Sequence, residues 1–278
     1  MFADDLCTLR AGTDLADTCC LVQRDIDAVV KWSHDNGIIL NSDKTNLLII
    51  HSPYLRPTGS PPFMYTHSFS CLHNDFVCCN CMPIKEVNCV TYLGVKVDNI
   101  FSWSHHVDYI CNKLRLLLCK FYHLRFKVPT STLKLLYLSL VEPILGYALD
   151  SYGLTFKTHI DKLEVVNNKT KANCKGNYYK LFKICRILLV SLKHKYLLAI
   201  NNHDSQENSP TLVNHSHCTR SMSAGKFEVP KVNNFFGDRT LKKRLPYLLN
   251  SLPEDIRREQ DKNVFKRNLK KYFIANLA

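Results

Sequence analysis

Two adjacent carboxylates, Asp4 and Asp5, stand between the apolar pair Phe2-Ala3 and the run Leu6-Cys7-Thr8-Leu9. The flanks read as short strands, so the acidic pair falls in a tight strand-turn-strand where both side chains can enter one cleft. Hard oxygen donors clustered in this way suit Mg²⁺, which takes a few carboxylates and completes its shell with water and phosphate. Two such ions clamp the attacking and leaving oxygens of a phosphoryl transfer. Taken alone, an Asp-Asp pair is more often a turn former or a helix cap. The order of the segments after the pair restricts the fold further. Thr13 or Asp14 is placed to cap a helix running to Asn36, whose apolar positions Leu15, Cys19, Val22, Ile26 and Val29 alternate steps of four and three. Gly37 sits where a left-handed C-terminal cap belongs. Asn41-Ser42-Asp43-Lys44-Thr45 is a polar turn, and Leu47 to Ile50 reads as a short buried strand. Strand hairpin, helix, lysine-bearing turn and strand make half of a split βαβ layout, with the helix on one face of a small antiparallel sheet.

Farther along, Ser52 to Asn74 carries Pro53, Pro57, Gly59, Pro61 and Pro62 and reads as a loop or insertion. Phe76 to Val97 is expected to form a hairpin. Ser104 is placed to cap a helix with Val107, Ile110, Leu114, Leu117 and Phe121 on one side. Pro129-Thr130 opens another, with Leu133, Leu136, Tyr137 and Leu140 inward and Pro143 kinking or ending it. Residues 160–201 look helical, and His203 to Ser209 is a polar loop closed by Pro210. Pro253 starts a last helix, favoured by Glu254 and Asp255, with Ile256, Val264, Leu269, Tyr272 and Phe273 on its apolar side.

These residues resemble a known family. Phe2-Ala3-Asp4-Asp5 looks like the catalytic palm motif of reverse transcriptases. Trp32, Asn36-Gly37, Leu40-Asn41 and Lys44-Thr45 resemble the next palm motif of non-LTR (LINE-type, jockey-like) retrotransposons. Tyr92-Leu93-Gly94-Val95 with Asp98 resembles their primer grip, followed by Ser102-Trp103-Ser104 and His106. Lys113, Leu136-Tyr137, Leu140-Val141, Pro143, Tyr147 and Gly153 fit their thumb. Thr219-Arg220, Asn250-Ser251-Leu252-Pro253 and Phe265-Lys266 resemble the tail after that thumb.

The resemblance implies an α+β fold: a truncated reverse-transcriptase palm over 1–103, a helical thumb over 104–172 and a mostly helical C-terminal region over 173–278. It implies that Asp4 and Asp5 hold metal, two Mg²⁺ ions in the intact parent, and that Lys44 protonates the pyrophosphate leaving group. It implies that Tyr92, Leu93, Gly94 and Val95 hold the primer end, and that partners are an RNA template, a DNA primer and deoxynucleotides. Lys44 as a solvated turn lysine, and residues 92–95 as an ordinary strand with a glycine bend, are the plainer readings. The family site also needs a third carboxylate and nucleotide-gripping fingers, which the family places before the Asp-Asp motif. The expectation is therefore a chain inactive by itself, with a non-catalytic basic nucleic-acid-binding module or a non-functional relic as alternatives. Asn167 and Ala172 stand where the family commonly has glutamine and arginine.

Charge agrees with a polyanionic partner: 37 Lys+Arg against 24 Asp+Glu give a net +13. Much of the excess lies at Lys113, Arg115, Lys120 and Arg125, read as nucleic-acid-binding, with Lys127, Lys242-Lys243-Arg244, Lys266-Arg267 and Lys270-Lys271. Any one of these clusters is also readable as a solvated face. Leu116-Leu117-Leu118 is too short to span a bilayer, and no signal peptide is apparent. The chain is expected inside the cell, in nucleus and cytoplasm by the resemblance, without a membrane partner. The 13 cysteines argue against a disulfide framework by their odd number. Cys78 and Cys81 have a zinc-like spacer, but no second such pair exists; Cys78, Cys79 and Cys81 read instead as small apolar strand residues.

Overall fold

In a computed structural model, the helix anticipated after the acidic pair is α1, Leu15–Asp35, with Asp14 as its N-cap accepting the Asp17 N–H at 2.8 Å. The structure describes residues 5–54, 62–73, 81–124, 126–172, 187–204, 210–212 and 225–276. The far end of α1 is a Schellman closure: Gly37 (φ 67°) donates to His34, and Ile38 to the carbonyl of Ser33. Cys19 and Val30 are buried and Leu15, Val22, Ile26 and Val29 half-buried, the face that the spacing predicted.

The chain divides into two compact units, 1–105 and 106–278. In the first, α2 (Phe69–His73) packs on α1, and the His34 ring stacks on Phe69 with centroids 3.6 Å apart. Among the described residues the expected single antiparallel sheet is instead two separate pairs. β1 (Asn46–Leu47) pairs parallel with β2 (Lys85–Glu86), whereas β3 (Cys89–Tyr92) and β4 (Val95–Asp98) form an antiparallel hairpin. Sequence periodicity says which face of a strand is apolar, not which distant strand it meets. The buried strand expected over 47–50 is likewise reduced to the two-residue ladder Asn46–Leu47, with Leu47, Leu48 and Ile49 half-buried and Ile50 exposed, because it has a neighbour along two rungs only. Phe76 lies outside the described residues.

In the second unit, α3 (Ser104–Leu124) buries His106, Val107, Ile110, Cys111, Leu114 and Phe121. α4 (Thr130–Leu136) runs into a π-helical turn, Tyr137–Val141, and then α5 (Glu142–Gly146). Here the inward register differs from the expectation: Leu133, Tyr137, Val141 and Leu145 are buried, and Leu140 is exposed. The wider turn inserts one residue, so the inward position passes from 140 to 141. Pro143, which lacks an N–H and crowds the preceding turn, is carried through by that bulge rather than ending the helix. After α6 (Leu149–Tyr152) come α7 (Lys157–Ala172) and α8 (Val190–Asn201). α8 is the central element, packed against α5, α6, α7, α10 (Leu241–Asn250) and α12 (Lys262–Ala275). α9 (Phe235–Asp238) precedes α10. The last expected helix is two, α11 (Glu254–Arg257) and α12, because Asp261 caps a fresh start by accepting the N–H groups of Asn263 and Val264. Leu188, Leu198, Leu248, Leu252, Ile256, Phe265, Leu269 and Phe273 share one core cluster. Among the described residues the molecule is mostly helical with two small strand pairs, consistent with an α+β chain.

Candidate catalytic and nucleic-acid-contact residues

Of the acidic pair, Asp4 lies outside the described residues, and Asp5 is exposed. Asp5 offers hard carboxylate oxygens, the donor type Mg²⁺ takes. Among the described residues no three His, Cys, Asp or Glu side chains come together, so one observed carboxylate fits such an ion in chemistry but does not make a cage. Lys44 ends a 3-10 turn, Ser42–Lys44, whose N-cap Asn41 accepts the Lys44 backbone N–H through its side chain at 3.2 Å. Its ammonium is exposed and forms no ion pair with Asp5.

The four positions expected to form a primer grip are brought together as the β3–β4 turn. Tyr92 pairs with Val95, and Leu93 (φ 47°) and Gly94 (φ 76°) form the two-residue bend between them. Two left-handed residues are what a tight hairpin with the natural strand twist requires. Glycine adopts this freely, whereas leucine is strained by roughly 1–2 kcal/mol. The next turn is built around Asp98, only 3% exposed. Its two carboxylate oxygens accept the N–H groups of Ser102 (2.8 Å) and Trp103 (2.7 Å). Phe101 (φ 48°) and Trp103 (φ 63°) are both left-handed, and the carboxylate is what ties that bend down. The motif residues Asp98 and Ser102-Trp103-Ser104 thus form one hydrogen-bonded turn leading into α3, with Ser102 Oγ accepting the Ser104 N–H at 3.2 Å.

Along α3 the cations Lys113, Arg115 and Lys120 are all exposed; Arg125 lies outside the described residues. Helical spacing puts Lys113 and Lys120 on one stripe with Tyr109 and Leu116, and Arg115 on a flank. The Lys113 ammonium sits 4.3 Å from the Tyr109 ring centroid, and Arg115 donates to Asn112 Oδ1 at 2.7 Å. Asn167 faces inward, 1% exposed, and accepts the Tyr137 hydroxyl proton at 2.8 Å. Burial foremost, and then the charge of Glu142, hold that phenol well above its usual range.

Three arrangements carried no sequence signal. Arg239 lies over Phe156 and Phe236, 4.5 and 5.3 Å from their ring centroids. Lys193 forms an ion pair with Glu142, and Cys71 meets Cys81. Arg239 over Phe156 and Lys193 with Glu142 join residues far apart in the chain, whereas Cys71 and Cys81 are ten residues apart. Cys81 is not in a strand, contrary to its expected role; it precedes the isolated bridge at Pro83 and the ladder that starts at Lys85, where chain pairing begins.

The probable RNA-directed DNA polymerase from transposon X-element of Drosophila melanogaster is 26% identical over 171 residues, 60% of this chain and 17% of that protein. The RNA-directed DNA polymerase from mobile element jockey of the same fly is 24% identical over 215 residues, 73% of this chain and 22% of its own length. Its Drosophila funebris counterpart is 23% identical over 183 residues, 63% of this chain. This chain is similar to non-LTR reverse transcriptases. It spans less than a quarter of the length of each of these curated relatives. No family model matches it, and no solved structure does. Among the described residues no helix is long and apolar enough to cross a membrane.

Proposed function

We propose that this chain forms palm and thumb elements of an RNA-directed DNA polymerase from a non-LTR retrotransposon. What carries the reading is similarity to three such polymerases over 60–73% of the chain, joined to the ordered motifs Asp4-Asp5, Lys44, 92–95 and Asp98. Asp4 and Asp5 would hold Mg²⁺, which when bound supplies charge stabilisation at the reacting phosphate. Lys44, exposed on a short capped turn, is free to reach a departing pyrophosphate and donate its proton there. The 92–95 bend presents its backbone to a primer end. Lys113 and Lys120, one stripe of α3, track phosphates of the RNA–DNA duplex, with Arg115 on the flank, and Arg125 serves the same role by its charge. Polymerisation in this family also uses fingers and a third carboxylate, which the resemblance places before the Asp-Asp motif. The test is primer extension on an RNA template with those elements supplied. Activity is expected with Mg²⁺ and is expected to vanish in an Asp4→Asn, Asp5→Asn double variant; full activity in that variant refutes the assignment.

A second reading, a basic nucleic-acid-binding module without catalysis, is favoured by α12. Its Lys262, Lys266, Arg267, Lys270 and Lys271 are exposed, and the helix carries no acidic residue. Binding to duplex that weakens steeply with salt, with no synthesis in the reconstituted assay, selects it.

A further inference from the structure

In the first unit, Met64 and Tyr65 run against Pro83 and Ile84. Ile84 donates its N–H to the Met64 carbonyl at 2.7 Å, and Tyr65 bridges Pro83 antiparallel. Gln23 of α1 grips the same segment, donating from Nε2 to the Tyr65 carbonyl and accepting the Tyr65 N–H, both at 2.9 Å. Past this rung both chains leave from a set register, and the His34–Phe69 stack holds α2 against α1. The register brings the half-buried Cys71 of α2 to Cys81, with the two sulfurs 3.6 Å apart. Ser68 serves both sulfurs: its hydroxyl donates to Cys71 Sγ at 3.2 Å and its backbone N–H to Cys81 Sγ at 3.4 Å. The thiolate is the form of a cysteine that reacts. Elsewhere, burial pushes the thiols of Cys19, Cys89 and Cys111 up and disfavours their thiolates.

We propose that Cys71 and Cys81 are a redox modification site that closes to a reversible disulfide under a peroxide oxidant. Closing the bond needs the sulfurs, now 3.6 Å apart, to approach by about 1.5 Å. One thiolate attacks a peroxide oxygen, breaking the O–O bond to leave a sulfenic acid and hydroxide. The second thiolate then attacks that sulfur and expels a second hydroxide. The two thiol protons neutralise both hydroxides, so two thiols and one hydrogen peroxide give one disulfide and two waters. The sulfurs lose two electrons and the peroxide gains them. The bond staples α2 to the segment entering β2, across the Tyr65–Pro83 rung, and a dithiol reductant reopens it by exchange.

The full chain is treated with hydrogen peroxide, alkylated, digested without reduction and mapped by mass spectrometry. A peptide linking Cys71 to Cys81 is expected, lost on dithiothreitol and absent from Cys71→Ser and from Cys81→Ser, but retained in Cys119→Ser. In the oxidised wild type, amide exchange over 64–73 and 81–86 should slow by about tenfold or more. Recovery of Cys71 and Cys81 as alkylated thiols after peroxide overturns the proposal. Linkage of either one to a different cysteine, or a linked pair with unchanged exchange, overturns it equally.

Discussion

In residues 106–276 the side chains of Phe121, Tyr137, Tyr152, Phe265 and Leu269 are among many that are fully buried, whereas in residues 5–105 the buried apolar side chains among those described are Cys19, Val30 and Met64. The first region is held largely by side chains bonded to backbone: Asp14 at the start of α1, Asn41 under the Lys44 turn, Gln23 on Tyr65, and Asp98 on Ser102 and Trp103. The second is held by apolar surface closed around α8. The contrast has a consequence for reading motifs. Where a region is built from capped turns, a residue proposed to act at the site is also the residue that shapes the backbone. Asp98 and the 92–95 bend are both.

The contrast can be broken most directly in the helical region. Phe265→Ala removes a ring only 1% exposed from the shared core and should destabilise residues 106–276 by about 3–5 kcal/mol, measured by denaturant unfolding or by exchange at α8 and α12 amides. A loss under 1 kcal/mol would mean that this core is not what holds the region.

The half-buried His194 of α8 also predicts a pH response. Burial foremost, then the charge of Arg244, lower the His194 pKa from 6.5 to about 4, with Asp150 opposing. The imidazole stays neutral in the folded chain and takes up a proton near 6.5 when unfolded. The unfolded state therefore binds more protons between these values, and stability, complete above pH 6.5, falls as pH drops toward 4, by about 3 kcal/mol in all. Unfolding measured across that window should show the slope, and His194→Leu should flatten it.

In the turn-built region the expected losses are smaller and local. Asp98→Ala leaves two N–H groups without their acceptor and should cost about 2–3 kcal/mol, read as faster exchange at Ser102 and Trp103. The smallest effect has the opposite sign. Leu93→Gly relieves the left-handed strain at that position and should slow exchange in the β3–β4 hairpin by about 1 kcal/mol. If it also weakens primer binding in the reconstituted polymerase, the leucine is kept for contact rather than for folding.

Much of this was legible before any coordinates. The spacing of Leu15, Cys19, Val22, Ile26 and Val29, with Asp14 and Gly37 at its ends, defined α1 almost to the residue, because caps and apolar period are local properties. The α3 face emerged in the same way. The site was legible only as motif order: Lys113 and Lys120 do share a stripe, but neither their spacing nor that of Asp5 and Lys44 says what lies across from them.

Sequence alone determined the helices that carry their own caps and stripe, the polar turns, and the likeness to non-LTR reverse transcriptases. Tertiary structure decided whatever depends on residues distant in the chain. Asn46 meets Lys85 in a parallel pair, a π turn moves the inward position from Leu140 to Val141, and α8 becomes the shared partner of five helices. Cys71 reaches Cys81 by the same route. The physical reason is common to all of them: caps, turns and apolar period act over a few residues, while pairing, register and burial are set by the free energy of closing the whole chain on itself.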